Sequence, residues 1–230
     1  MIIHHKKPLI IYGNGAMASV YASYLSSVYE IVAFSVEQSF CQTKYFEEKP
    51  LIPFESIEQA FDPGDYHFVV AVGYAEMNQV RARISAFIKN KGYSMVQFVS
   101  PDLWRHAGVS IGENTVILDH CSLHCRSLVG NNVFIASGVQ MGHDCQISDN
   151  VWINSGVVLA GGVSIGEGCF LGINASVAHG VSLAAGTFVG ANTLLTKNTK
   201  PNQVVVSHYG EVYPVDSHVY LSLLEGQRVS

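Results

Sequence analysis

The stretch Asn150-Val151-Trp152-Ile153-Asn154-Ser155-Gly156-Val157-Val158-Leu159-Ala160-Gly161-Gly162-Val163-Ser164-Ile165-Gly166 repeats itself every six residues. In each six, an aliphatic residue (Ile153, Leu159, Ile165) stands two places after a β-branched one (Val151, Val157, Val163), and a small or amide residue follows it. The step extends without a slip from Ile111 to Leu195, through Ile117, Leu123, Val129, Ile135, Met141, Ile147, Leu171, Val177, Leu183 and Val189. Two places earlier the chain carries only small or β-branched residues, from Val109 and Thr115 to Thr187 and Thr193. A helical period of 3.6 drifts out of phase with a strict six, and a plain amphipathic strand has no need of a small residue at one fixed place in every six. A three-sided prism accounts for both features. Each hexad is a short strand and a tight turn, with its aliphatic residue inside and its small residues at the bend. Three hexads close a coil of eighteen residues. The run therefore predicts about five coils, stacked at about 4.8 Å, with residues eighteen apart lying above one another.

Ahead of the repeat, short apolar runs alternate with helix-like segments. Pro8–Tyr12, Glu30–Ser35, His67–Val72 and Ser94–Phe98 read as strands, with helices from the turn after Gly15 through Leu25 and from Met77 to Lys89. Such alternation predicts a small parallel, Rossmann-like sheet whose ligands sit at the carboxyl ends of its strands. Gly13-Asn14-Gly15-Ala16-Met17-Ala18 is a GxGxxA turn opening a helix, a place for phosphate on backbone amides, and Glu37 is within reach of a ribose. NAD is disfavoured, because the unit is about half a full dinucleotide domain. Gln38–Asp65 reads as a polar loop with a short helix near Ser56–Ala60, and Pro101–His106 as the join. The expected organisation is an α/β domain over 1–106, the prism over 107–200 and a C-terminal extension over 201–230.

Composition narrows the function. Only 13% of the 230 residues are charged, the net charge is −5, and Lys and Arg form no cluster, which argues against nucleic-acid binding. No apolar run reaches the roughly 18 residues of a membrane span. Met1–Pro8 lacks a signal-peptide layout, and the five cysteines (Cys41, Cys121, Cys125, Cys145 and Cys169) are odd in number without a CxxC, so free thiols in a cytoplasmic protein are expected.

Two segments carry a resemblance: Gly142-His143-Asp144-Cys145-Gln146-Ile147, and Ala160-Gly161-Gly162-Val163-Ser164-Ile165-Gly166-Glu167-Gly168-Cys169-Phe170-Leu171-Gly172-Ile173-Asn174. With the front domain, they resemble the bacterial nucleotide-amino-sugar N-acetyltransferases and the related sialic-acid O-acetyltransferase-like proteins, over about residues 8–207. The resemblance implies a left-handed parallel β-helix; the general rule for crossovers would favour the right hand, so handedness enters by resemblance alone. It implies a homotrimer and acetyl-CoA as donor. It assigns a catalytic base and its partner to His143 and Asp144, where the family often has Glu at the second place. It assigns acetyl-CoA contacts to backbone at Gly161, Ile173 and Ala191 and to the side chain of Trp152, where some relatives carry His. For the nucleotide it implies Asn14, Gly15, Ala16 and Met17, then Ser35 and Val36, where relatives often carry acidic residues, and Gly73.

The chemistry fits those residue types. Acyl transfer needs a base for the attacking amine or hydroxyl and a donor for the oxyanion of the thioester carbonyl. A neutral imidazole serves the first need, and the Gly161 amide, one coil above His143, serves the second while leaving room for pantetheine. The expectation is acetyl-CoA-dependent N-acetylation of a nucleotide-linked deoxyaminosugar for surface glycans. O-acylation, a longer acyl donor and a non-catalytic sugar-nucleotide scaffold stay open. A zinc hydratase ranks below these: His179 lies thirty-six residues after His143, but Ala184 stands where the family of γ-type carbonic anhydrases places its third histidine, so no metal is expected. His120 and His124 are read as packing residues, and Lys197 and Lys200 as solvated or as neighbours of the CoA phosphates.

Overall fold

The structure, a computed structural model, describes residues 7–208, 210–212 and 214–226. The front domain is a six-stranded sheet in the order β3-β4-β2-β1-β5-β6. Its strands are β1 (Pro8–Tyr12), β2 (Glu30–Val36), β3 (Tyr45–Phe46), β4 (Lys49–Pro53), β5 (His67–Val70) and β6 (Ser94–Met95). All neighbours pair in parallel except β3 and β4. Helices α1 (Ala16–Leu25) and α2 (Gln79–Asn90) cross between strands. The region expected as a polar loop holds the β3–β4 hairpin, with β4 parallel to β2. Pro50 and Pro53 hide that strand in the sequence, since proline is confined to strand ends and edges. The short helix expected near Ser56–Ala60 is a 3-10 helix, Phe54–Gln59.

Behind the sheet the chain winds into a three-faced left-handed prism of two-residue strands. Strands stack in parallel at eighteen-residue spacing, as in Phe134↔Trp152 and Ile135↔Ile153. We call the faces covered (Phe98–Val99 to Val204–Val205), second (Trp104–Arg105 to Leu194–Leu195) and third (Ser110–Ile111 to Ser182–Leu183). Stacked strands thus run from Phe98 to Val205, beyond the expected 107–200 at both ends. The expected strand Ser94–Phe98 breaks in two: Ser94–Met95 pairs with β5, and Phe98–Val99 starts the prism against Val116–Ile117. The presumed join contains Trp104–Arg105, which pairs with Ser122–Leu123. These ends were hidden because Arg105 stands at an inward aliphatic step, and because the last rung pairs Phe188 with Val204, sixteen residues on. Beyond it, helix α3 (Ser217–Gly226) starts at Asp216, whose Oδ1 accepts from the amides of His218 and Val219.

The prism core is the predicted one. Ile117, Leu123, Ile135, Met141, Ile153, Leu159, Leu171 and Val189 are buried in one cluster with the β-branched and cysteine positions two places earlier. Where those earlier positions are hydroxylic, the hydroxyl bonds a turn carbonyl: Thr115 to Gly130 (2.8 Å) and Ser127 to Gly142 (3.1 Å). Each corner turns through a residue of positive φ, among them Arg126 (59°), Asp144 (57°) and Gly162 (71°). All five cysteines are free.

The front domain sits on the covered face, whose outward column is Phe98, Val116, Phe134, Trp152, Phe170 and Phe188. Tyr21 of α1 stacks on Phe134 (6.0 Å, 17°), and that column shares a hydrophobic cluster with β1, β2 and α1. Arg81 of α2 is buried there. It donates to the carbonyls of Asn132 (2.6 Å) and Val151 (3.3 Å) and lies 5.1 Å from the Trp152 ring centroid. A buried guanidinium is tolerated only with such partners. At the corner between the third and covered faces, Asn114, Asn132 and Asn150 bond one another up the coils (2.5 Å each), and Asn114 Oδ1 accepts from the Val70 amide of β5 (2.8 Å). Polar rungs thus tie the sheet to the prism while the aromatics exclude water.

Candidate functional site

Two sites emerge, one on each domain. The first is a cleft of about 450 Å³ at the carboxyl ends of β1, β2 and β5. Asn14, Gly15, Ala16, Met17, Val36 and Gly73 line it, as the sequence reading placed them, together with Glu37. Gly13 is irreplaceable here: its φ is +135°, and a Cβ would lie 2.8 Å from the Ala71 carbonyl oxygen. The turn delivers α1 to the cleft with no side-chain cap and no acidic residue in its first turn, so the positive end of the helix meets the cavity. Burial and the neighbouring Glu37 push the Tyr12 phenol up to about 12, so Tyr12 faces the cleft neutral. Ser35 corrects the reading: it is fully buried, does not line the cleft, and contributes its carbonyl to the Gly13 amide (2.9 Å). Its place at the carboxyl end of β2 misled, because successive strand residues face opposite sides and it is Val36 that lines the cleft. Phe40, Val80 and Ile84 also line the cleft. Phe40 lies in the polar segment and is brought over by the Asn14 Nδ2 bond to its carbonyl (3.1 Å); no sequence pattern marks it.

The second site is the corner between the second and third faces. His143 stands on it, half-exposed. Its Nδ1 lies 2.6 Å from Asp144 Oδ2, so the shorter acid does reach its neighbour. Asp144 is also gripped from one coil below: Arg126 donates Nε to Oδ1 (2.6 Å) and Nη2 to Oδ2 (2.8 Å). The Arg126 guanidinium, first, and His143, second, hold the Asp144 carboxyl well below the usual carboxylate range. A neutral imidazole that gives Nδ1–H to a carboxylate carries its lone pair on Nε2. Nε2 reaches over Gly161, where a Cβ would stand only 2.5 Å from it. The Gly161 amide donates to no acceptor among the described residues, while its carbonyl accepts from Gly180 (3.0 Å). The His179 ring, two coils above His143, is 6.3 Å away across the bare Gly161–Gly162 step. This corner therefore combines an imidazole held by a carboxylate, a backbone amide with no acceptor among the described residues, and an open glycine step. The sequence reading missed Arg126, although eighteen-residue spacing from Asp144 marks it.

The remaining expected donor contacts separate. Ile173, more than half exposed, and Ala191 stack one coil apart on a different corner, between the covered and second faces. Ala191 lines a hollow of about 600 Å³ with Gly190, Asn192, Val206 and His208. Trp152 requires a correction. Its side chain is 3% exposed, stacked on Phe134 (4.2 Å) with its Nε1 on Asn154 Oδ1 (3.2 Å), so it packs the domain interface rather than meeting a thioester arm. Against the front domain this position buries its whole indole, which favours a large aromatic there. His124 stacks on His106 (4.6 Å), and His120 lies beside Asp102 and Asp119 on the other corner. Lys197 and Lys200 are exposed beyond Leu194–Leu195.

Comparison with known proteins agrees with this geometry. Residues 144–172 and 163–197 match the model of the bacterial transferase hexapeptide (six repeats). No curated protein matches significantly. Among solved structures, perosamine N-acetyltransferase from Caulobacter crescentus, determined as a His-to-Asn variant in complex with CoA and GDP-perosamine, aligns with a TM-score of 0.80 and 25% identity over 87% of this chain and 93% of that one. The acetyltransferase domain of PglB from Neisseria gonorrhoeae shares the fold at a TM-score of 0.79 and 21% identity, over 87% and 97%. WeeI from Acinetobacter baumannii aligns at 0.61 and 16%, over 86% and 96%. The chain is an acyltransferase with a left-handed β-helix behind a parallel-sheet domain, similar in build to the nucleotide-aminosugar N-acetyltransferases.

Proposed function

We propose that the protein transfers the acetyl group of acetyl-CoA to the amino nitrogen of a nucleotide-linked deoxyaminosugar, at a site that two copies of the chain complete. The observation that carries this reading is the Asp144-oriented His143, with Nε2 poised over the bare Gly161. The amine attacks the thioester carbonyl and passes a proton to Nε2 as the C–N bond forms. The Gly161 amide stabilises the oxyanion. The C–S bond then breaks, and the imidazolium returns the proton to the departing thiolate. An amine is the easier nucleophile for one histidine, since it needs its base chiefly to remove a proton during attack.

The acceptor's nucleotide belongs in the front cleft, with phosphates at Gly15 to Met17 and Gly73 at the opposite wall. That domain lies on the covered face, and in a three-sided prism the His143 corner is opposite the covered face. An acceptor held in the cleft therefore meets His143 of a neighbouring copy. Gly161 and Ile173 likewise lie on two corners flanking the second face, so one donor reaches both only in a groove between prisms. A closed homotrimer supplies three such grooves by one rotation. The complex of perosamine N-acetyltransferase with CoA and GDP-perosamine supports the same substrate classes. Among the described residues no helix is long and apolar enough to cross a membrane. Free thiols and the two substrates fit a cytoplasmic reaction in glycan assembly.

The test offers purified protein acetyl-CoA with matched UDP-, dTDP- and GDP-linked aminosugars, their hydroxyl-only analogues and the free sugars. Thiol release and product mass are followed. Acetate on nitrogen, with the free sugar far poorer because its nucleotide contacts are lost, is the expected outcome. Acetate on oxygen, or equal rates with the free sugar, would overturn the acceptor assignment.

A further inference from the structure

We propose that Arg126 is a positioning residue of the acyl-transfer site: its fork fixes the Asp144 carboxylate that orients the His143 ring and offsets part of the charge which that carboxylate presents to the imidazole. The proposal rests on the reading of His143 as the base.

The fold itself aligns the three groups. Arg126 and Asp144 occupy the same place in successive coils, eighteen residues apart, and the Asp144 amide donates to the Cys125 carbonyl (3.1 Å). Both have left-handed backbones of nearly equal φ, 59° and 57°, so their side chains leave the corner side by side. The guanidinium uses two of its donors on the two carboxylate oxygens, which fixes the carboxylate plane in a way a point charge does not. Oδ2 is shared: it accepts from Arg126 Nη2 at 2.8 Å and faces His143 Nδ1 at 2.6 Å.

The electrostatic consequence follows from that sharing. A lone carboxylate against an imidazole stabilises the imidazolium and so makes it a poorer neutral base at neutral pH. A guanidinium on the same carboxylate offsets that attraction, and its own charge repels the imidazolium. Both effects have one sign. The hydrogen bond that selects the tautomer is kept while the pull toward protonation is reduced. Titratable and charged neighbours of the ring among the described residues are Asp144 on its own coil, Arg126 and Cys125 on the coil below, and His179 two coils above. The Cys125 thiol lies 3.5 Å from Arg126 Nη1, and the His179 ring 6.3 Å from the His143 ring. Among these, Arg126 is the permanent cation.

The experiment compares the full chain with R126Q, R126K and H143Q. kcat/KM for the aminosugar acceptor is measured against pH, and the His143 ring signals are titrated by NMR without substrates. A unit charge about 6 Å away, at a dielectric between that of water and half of it, shifts a titration by roughly half to one pH unit. In R126Q the acid limb should move up by about that amount. Activity should fall roughly three- to ten-fold near pH 6 and return to within about three-fold of the parent near pH 8.5, with KM for acetyl-CoA unchanged. R126K keeps the charge and loses the fork, so its limb should stay in place while kcat falls. An R126Q profile lowered equally at every pH, or a ring titration that stays put or moves down, would overturn the proposal. H143Q with near-normal turnover would instead sink the base assignment, which separates the two failures.

Discussion

Gly161→Ala is the sharpest perturbation the site allows. A Cβ built on Gly161 lies 2.5 Å from His143 Nε2, 2.7 Å from Cε1 and 3.0 Å from Cδ2. Ordinary contact between such atoms begins at about 3.5 Å, so the ring must retreat by about 1 Å. Within its own chain the retreat is open to it, since His143 is half-exposed. The fold should therefore survive, with a melting temperature close to the parent's. Catalysis should not. A 1 Å misplacement of a reacting group is worth about 10² in rate, and outright loss of a general base about 10² to 10⁴. We expect kcat down by about 10² or more, with KM for acetyl-CoA altered less. Steady-state assays of thiol release on G161A, H143A and the double variant isolate the cause. If the methyl acts by displacing His143, the double variant is no slower than H143A, because the ring that was displaced is gone. If it acts by filling the space of the donor's pantetheine arm, the losses multiply and KM for acetyl-CoA rises in both backgrounds. Near-normal kcat in G161A would refute the claim that Nε2 works from its place above Gly161.

Light scattering should give a homotrimer at working concentration; a stable monomer would contradict the intersubunit site. At Gly73 a Cβ meets nothing within 4 Å, so Gly73→Val should leave the fold intact yet narrow the cleft, raising the Kd for the nucleotide-linked sugar while CoA binding is unchanged. Equal loss of both ligands in calorimetry would show the cleft to be misplaced. Trp152→Phe should lower the melting temperature by loosening the domain interface and leave KM for acetyl-CoA unchanged; a selective rise in that KM would mean the indole touches the donor. Buried thiols should resist alkylation: burial pushes Cys121 up to about 11 and raises Cys145 and Cys169. Mass mapping after a brief maleimide pulse at pH 7.5 should find these three unlabelled until the protein is denatured, and early labelling would show the prism to be open.

The readable parts of the chain are those whose period repeats. Ile117, Leu123 and Ile135 announce an inward column because each stands six residues from the next, and all are buried as that spacing requires. The ends escaped notice where the pattern gives way, at Arg105 and beyond Leu195, although backbone pairing continues to Val205. Pairing is a property of the main chain, and it tolerates a side chain that breaks the pattern when the site is not inside the core. The β3–β4 hairpin was concealed by its two prolines. Ser35 and Trp152 were assigned to ligands by their place along the chain; the pleat turned one inward, and a second domain covered the other.

From the sequence alone come the prism, its eighteen-residue register, the parallel sheet ahead of it and the glycine turn at the cleft. Each of these is local periodicity or local backbone geometry, written in consecutive residues. The same register even places Gly161 above His143. Only the tertiary structure decides that Arg126 forks onto Asp144, that Trp152 belongs to the domain interface with Arg81, and that the front cleft lies across the prism from the histidine corner. These depend on which face the first domain covers and on which side-chain rotamers then meet. That choice is made by the fit of Tyr21 and its neighbours on the aromatic column and by the asparagine rungs, contacts between residues far apart in the chain, which no periodicity encodes.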